Sequence, residues 1–267
     1  MTDDHTFPTS LGTSDADTIM LMGHNVATDL MGKVGFGELA FWMVAQRRPT
    51  AGEVRLFEAV LVSLADHGFT PTAIAARMTY YSAPDSIQGA IAAGLLGGGS
   101  RFLGVTEDTG GFLHRVLADL SDDTTGWSED RWDALALDVV TRTKAAGQFV
   151  PGIGHPVHKN GDPRVPVIFS IADEEAVLGP HLKLFAAIGR AHHQVLGRSL
   201  PLNGAGVAGA ALADLGLPVT MLRGFSLLAR TAGLVGQIAE EQRTPIAPAI
   251  YNAVDRNATF VAPEPAN

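Results

Sequence analysis

The chain has 267 residues, enough for one large domain or two small ones, and its 46% hydrophobic against 18% charged residues exclude a disordered chain. A net charge of −9 repels a nucleic-acid backbone or an anionic membrane on average, while leaving room for a local basic pocket. Cysteine is absent, which removes disulfides, thiolate zinc sites and cysteine nucleophiles together and fits a reducing compartment.

Met1 to Ser10 carries Asp3 and Asp4 and has no basic start followed by an apolar run, so it does not read as a secretory signal. No apolar stretch reaches the roughly 18 residues of a membrane span, and the expected location is cytoplasmic. A short strand is expected near Ile19 to Met22. From there the period is helical. Val54, Phe57, Val60, Leu61 and Leu64 recur at three and four and define an amphipathic helix over about 51–66, with Pro49 and Thr50 at its start. Similar patterns cover 36–45, 71–80, 86–96, 110–120, 132–145, 163–178, 181–196, 206–215 and 221–241. Gly97 to Gly99, 150–154, 200–206 and the pair Pro245 and Pro248 mark loops. The acidic stretch 121–130 reads as a solvated loop ending in a helix cap, and 262–267 as a disordered tail. The 30 glycines, many inside helical patterns, point to helices in close contact. The expected fold is all-α.

Three places carry chemistry. Asp66-His67-Gly68 ends a strongly apolar helix, so His67 is either a histidine on the helix dipole before a glycine cap or a positioned hydrogen-bond donor. In Val150-Pro151-Gly152-Ile153-Gly154-His155 the glycines let backbone approach a ligand, and Lys159 and Arg164 downstream add positive charge for an anion. A metal on His155 and His158 is disfavoured, because the pair has no third histidine or carboxylate nearby in sequence and Pro156 discourages a helix. Arg223 and Arg230 lie on one face of an apolar helix, where they either pair with a buried carboxylate such as Asp214 or bind a substrate carboxylate. The adjacent His192 and His193 point to different sides of a helix, one to the core and one to the surface.

ADHG at 65–68, VPGIGHPVHKNGDPR at 150–164, NGAGVAGAALADLGLP at 203–218 and GFSLLARTAGLVGQIAEE at 224–241 together resemble the citrate synthase superfamily. The segments IAAGLLGGGSRFLG at 91–104 and MLMGHNVATDLMGKVGFGELAFWMVAQRRPT at 20–50 are more similar to its citryl-CoA lyase branch, which includes the C-terminal part of ATP-citrate lyase. The resemblance spans about Ile19 to Tyr251, in a form shorter than a citrate synthase. It implies a helical fold with a large lobe (1–68 and 217–267) and a small lobe (69–216), a homodimer, and a coenzyme A thioester as substrate without metal or redox cofactor. By the same resemblance His67 meets the thioester oxygen and His155 the hydroxyl or carbonyl oxygen of the partner acid. Arg164 and Arg230 hold carboxylates, Asn203 and Phe102 line the substrate, and the loop Val150, Pro151, Gly152, Ile153 and Gly154, with Lys159, binds the coenzyme.

One departure matters for mechanism. The resemblance places a catalytic aspartate at the position occupied by Ala205, and alanine cannot remove a proton from the methyl carbon of acetyl-CoA. The expected activity is therefore cleavage of a 3-hydroxyacyl-CoA to acetyl-CoA and a carbonyl product, with His155 taking the hydroxyl proton. A citrate or methylcitrate synthase and a catalytically impaired CoA-thioester-binding protein are the alternatives, and Asp162 or Asp214 are the first places to look for a substitute acid.

Overall fold

The computed structural model describes residues 6–263; within these, eleven α-helices follow a small N-terminal sheet. Of the segments discussed above, 264–267 of the expected tail and 1–5 of the N-terminal stretch lie outside the described residues.

The single expected strand is the middle of three. β1 (Gly12–Ser14), β2 (Ile19–Leu21) and β3 (His24–Asn25) form an antiparallel sheet in the order β1-β2-β3, with Thr13 opposite Met20 and Leu21 opposite His24. Strands of two or three residues are too short to show a period, which is why only the apolar one was visible. A π-helical turn over Val26–Leu30 leads into the helical body.

The helices are α1 (Phe36–Ala45), α2 (Ala51–Ala65), α3 (Pro71–Ser82), α4 (Ile87–Leu96), α5 (Val105–Ala118), α6 (Glu129–Ala145), α7 (Arg164–Glu174), α8 (Pro180–Leu196), α9 (Gly204–Asp214), α10 (Leu222–Arg243) and α11 (Ala247–Arg256). Local chemistry sets their starts. At α2 the Thr50 hydroxyl accepts from the Glu53 N–H while the Glu53 carboxylate accepts from the Thr50 N–H, a reciprocal capping box. Ser128 caps α6 and Asn203 caps α9 in the same sense, each accepting from a backbone N–H three residues on.

Two expectations are corrected. α5 begins five residues before the expected start, because Glu107 and Asp108 in its polar first turn hide the apolar period. Pro245 lies in the expected loop, but Pro248 lies in the first turn of α11, a helix the sequence pattern did not mark, where a missing N–H costs nothing.

Phe41, Phe57 and Phe225 stack edge to face, with centroids 5.5 and 5.1 Å apart, at the centre of one large apolar core. That core takes buried residues from all three segments that boundaries at 68 and 217 would separate. α3, α4 and α10 enclose a smaller cluster around Ala76, Ala90, Leu234 and Ile238.

Glycine allows the tightest crossings. A Cβ on Gly209 in α9 would collide with the Thr106 carbonyl oxygen of α5, and one on Gly233 in α10 with the Ala65 carbonyl oxygen at the end of α2. The second crossing lays α10 directly beside the turn that carries His67. No helix among the described residues is long and apolar enough to cross a membrane.

Candidate active site

The glycine loop is held open by its neighbours. Gly152 and Gly154 both adopt φ of +83°, a left-handed conformation that strains other residues. Asn203 clamps the loop: its N–H donates to Gly152 O (2.9 Å), its side-chain amide donates to Gly154 O (2.9 Å), and its Oδ1 caps α9 at Gly206 N (2.8 Å). Gly154 N donates to Pro201 O at 2.6 Å. Asn203 thus fixes the loop to the start of α9 and spends its amide on backbone.

The loop brings His155 against a histidine from the far side of the chain. The His67 and His155 ring centroids are 5.5 Å apart, and His158 lies 4.4 Å from His155 and 5.5 Å from His67. His67 Nε2 and His158 Nε2 are 3.3 Å apart, within hydrogen-bond distance, and the tautomers decide which donates. The turn at His67 is set by Asp66, whose carboxylate accepts from Gly68 N (2.8 Å) and from Gln237 Nε2 of α10 (3.0 Å). α2 ends at Ala65, so His67 stands beyond the helix rather than as its dipole cap.

His155 Nδ1 accepts hydrogen bonds from the N–H groups of Val157 (3.0 Å) and His158 (2.9 Å). Neutral His155 therefore carries its proton on Nε2. Burial, then the nearby His158, lowers its pKa against the opposing pull of Asp162, so the neutral form dominates at pH 7. With Nδ1 occupied, the neutral ring presents Nε2–H as a donor.

The three imidazoles offer ligand atoms within 4.8 Å of one another, so the third histidine missing from the local sequence is supplied by His67. A metal-binding imidazole presents a bare nitrogen and donates from the other. His155 has the opposite arrangement, which suits proton handling.

Asp162 and Arg164 form a closed pair. Arg164 donates from Nε to Oδ1 (2.9 Å) and from Nη2 to Oδ2 (2.7 Å), and its Nη1 donates to Ser63 O (3.0 Å). Gly204 N also donates to Oδ2 (2.7 Å). Burial alone would raise the Asp162 pKa, but these hydrogen bonds hold the carboxyl well below the usual carboxylate range. It is an anion with its lone pairs filled, not a substitute carbon base. Asp214 is no substitute either, because it binds His181 Nδ1 (2.8 Å) and caps α8 through the N–H groups of His181 and Leu182.

The two arginines of α10 part company. Arg223 pairs with Glu107 at 2.8 Å, not with Asp214. Arg230 is buried and meets only the Thr70 hydroxyl (3.3 Å) and Leu64 O (3.2 Å), and its Nε has no partner. Burial lowers its pKa, opposed by Asp66.

These groups line one cavity of about 1080 Å³. His67, Phe102, the loop 150–155, Arg164, Asn203, Ala205 and Arg230 all reach its wall, whereas the exposed Lys159 does not. His192 and His193 stay outside it; both ring nitrogens of His192 are satisfied, by Ile188 O and Leu200 N, in the core. Sequence reasoning missed the contribution of His158, although its spacing from His155 across Pro156 was visible. Ser226, one helical turn before Arg230, also lines the cavity.

Citryl-CoA lyase from Hydrogenobacter thermophilus is similar in structure, with 27% identity and a TM-score of 0.83, covering 98% of this chain and 97% of that one. ATP citrate lyase from Methanosaeta concilii shares the fold at 22% identity and a TM-score of 0.76, over 99% of this chain and 43% of that one. In sequence, 2-methylcitrate synthase 1 of Corynebacterium glutamicum is 29% identical over 216 residues, 77% of this chain. The chain spans about half the length of that relative, 51%. The family model for the citrate synthase C-terminal domain matches residues 13–249, and with the helical architecture and the paired histidines this places the chain in the citrate synthase family.

Proposed function

We propose that the protein cleaves a 3-hydroxyacyl-CoA of the citryl-CoA type to acetyl-CoA and a carbonyl compound. The observation that carries this reading is the convergence of His67 and His155 on one cavity wall whose aspartate position is Ala205. The near-complete structural overlap with a citryl-CoA lyase supports it.

In the cleavage, the bond between C2 and C3 of the acyl chain breaks and its electron pair becomes the acetyl-CoA enolate. The carbinol oxygen gives up its proton and becomes a carbonyl, and the enolate carbon takes a proton to become the methyl group. Nothing is oxidised and no proton is gained overall. His67 donates to the enolate oxygen, an interaction typically worth about 3–4 kcal/mol. His155 Nε2–H donates to the carbinol oxygen. For that oxygen to lose its proton, the imidazole must pass its own onward, and His158 is the neighbouring ring. His158 lies within hydrogen-bond distance of His67 at 3.3 Å, so in this reading these rings carry the hydroxyl proton away, and a proton from water completes the methyl group at the enolate carbon. Arg101 and Arg115 in the same wall supply cations for the coenzyme's phosphates.

Incubation with citryl-CoA and related 3-hydroxyacyl-CoA thioesters, followed by mass spectrometry, is expected to show acetyl-CoA release. Binding without release from every thioester would overturn the reading. The methylcitrate synthase relative keeps condensation as a second reading. It requires exchange of the acetyl-CoA methyl protons with deuterated water at a catalytic rate, and the expected result is no such exchange and no citrate from oxaloacetate and acetyl-CoA.

A further inference from the structure

We propose that Gln237 of α10 is a positioning residue for the reaction: through Asp66 it holds the turn that presents His67, without touching the substrate itself. The proposal rests on the lyase reading and adds a residue on which the rate depends.

Arg230, Gly233 and Gln237 lie on one face of α10, and that face grips the segment 64–70 along its length. Arg230 donates to Leu64 O (3.2 Å) and to the Thr70 hydroxyl (3.3 Å). Gly233 packs so close to the Ala65 carbonyl oxygen that no side chain fits between them. Gln237 Nε2 donates to Asp66 Oδ1 at 3.0 Å. His67 lines the cavity, whereas Gln237 is buried and does not reach the cavity wall, so its hold on the site runs through Asp66.

The direction of the Gln237 amide is forced. Arg77 Nε can only donate, so it fixes the amide oxygen (2.7 Å) and turns the NH2 group toward Asp66. The other oxygen of Asp66 accepts from Gly68 N (2.8 Å), where the chain takes a φ of +70°. One carboxylate therefore bridges His67, tied to α10 through one oxygen and to the residue after His67 through the other. Removing the Gln237 donor frees one end of that bridge, and a small misplacement of a reacting group lowers a rate far more than it lowers binding.

Two substitutions in the full chain test this. Gln237→Met keeps the length and loses the donor, and kcat for acetyl-CoA release from citryl-CoA is expected to fall roughly tenfold or more, with affinity by calorimetry within about twofold. Gln237→Glu differs in one terminal group, keeps the acceptor for Arg77, and sets a carboxyl against Asp66, which keeps the test independent of whether Gln237→Met folds. The charged groups facing position 237 are Arg77 of α3 and Asp66 beyond α2; Glu240 and Glu241 of α10 bind the other nitrogens of Arg77, and Arg230 acts on Asp66. When the new carboxyl is protonated it donates to Asp66 as the amide does, and when both groups are ionised they repel. The kcat of Gln237→Glu, taken relative to the wild type at the same pH, is therefore expected to recover at about pH 5 and to fall at about pH 8. A ratio that stays constant with pH, or equal losses of affinity and kcat in Gln237→Met, would overturn the proposal. The His67 ring signals in NMR, assigned with His67→Ala, are read in parallel and are expected to shift in Gln237→Met. Such a shift in a protein that cleaves no thioester would sink the lyase reading and leave the hold on His67 standing. Cleavage with kcat and the His67 signals unchanged in Gln237→Met would do the reverse.

Discussion

His155 shows how a backbone turn chooses a proton position. With two N–H groups pointing at Nδ1, the neutral ring places its proton on Nε2, and burial beside His158 keeps the ring neutral. Nitrogen-detected NMR is therefore expected to show the Nε2–H tautomer and a titration midpoint below the ordinary 6.5. The sign for stability follows. A folded-state pKa below the unfolded one makes His155 favour folding above pH 6.5, and that contribution fades as pH falls through the lowered value. A midpoint above 6.5 would contradict the assignment. His158 carries a separate prediction, because in the proposed relay it moves a proton without holding the substrate. His158→Phe keeps a ring in place and removes the nitrogens, so kcat is expected to fall roughly 100-fold with thioester affinity little changed, within the range of acid–base catalysis. Parallel losses in affinity and kcat would make His158 a packing residue.

Among the elements, α10 connects the core to the site. Arg77 of α3 is fully buried and donates from Nε to Gln237 Oε1 (2.7 Å) and from Nη1 to Glu241 Oε2 (3.0 Å), and it also pairs with Glu240. Glu241 in turn accepts from Ile246 N and Ala247 N and so caps α11, while Gln237 donates onward to Asp66 beside His67. One guanidinium therefore joins α3, α10 and α11 and braces the turn that carries His67. Arg77→Met leaves Glu241 buried without its cation, a change that costs about 3–5 kcal/mol. Urea unfolding is expected to show a loss of that size, and a loss below 1 kcal/mol would mean the network is redundant.

Over the whole molecule, the apolar surface is not spent inside the monomer. α11 buries only Ala247, while Tyr251 and Val254 on it stay exposed, and Phe260 and Val261 beyond it are more than three-quarters exposed. Large exposed apolar groups of this kind are what an association surface covers. We propose a homodimer that covers them, in line with the expectation from the family resemblance. Light scattering at micromolar concentration is expected to give twice the monomer mass, and Val254→Glu should shift it toward the monomer. A monomeric wild type would count against the dimer.

Much of this protein is written locally. The helices of residues 36–96 follow from apolar residues at three and four, and from caps such as Thr50 with Glu53, because these interactions join residues close in sequence. The glycine loop was likewise legible, since its motif is contiguous, whereas the roles of His67 and His155 rested on the family resemblance. Other decisions belonged to the tertiary structure. Whether Arg164 or Arg230 is free to meet a carboxylate depends on Asp162 and Ser63 in one case and on Leu64 and Thr70 in the other. The third imidazole of the cluster comes from a residue 91 positions away. Charge compensation and proton position are set by groups adjacent in space, and the chain brings those groups together only when α2, α9 and α10 pack around the loop.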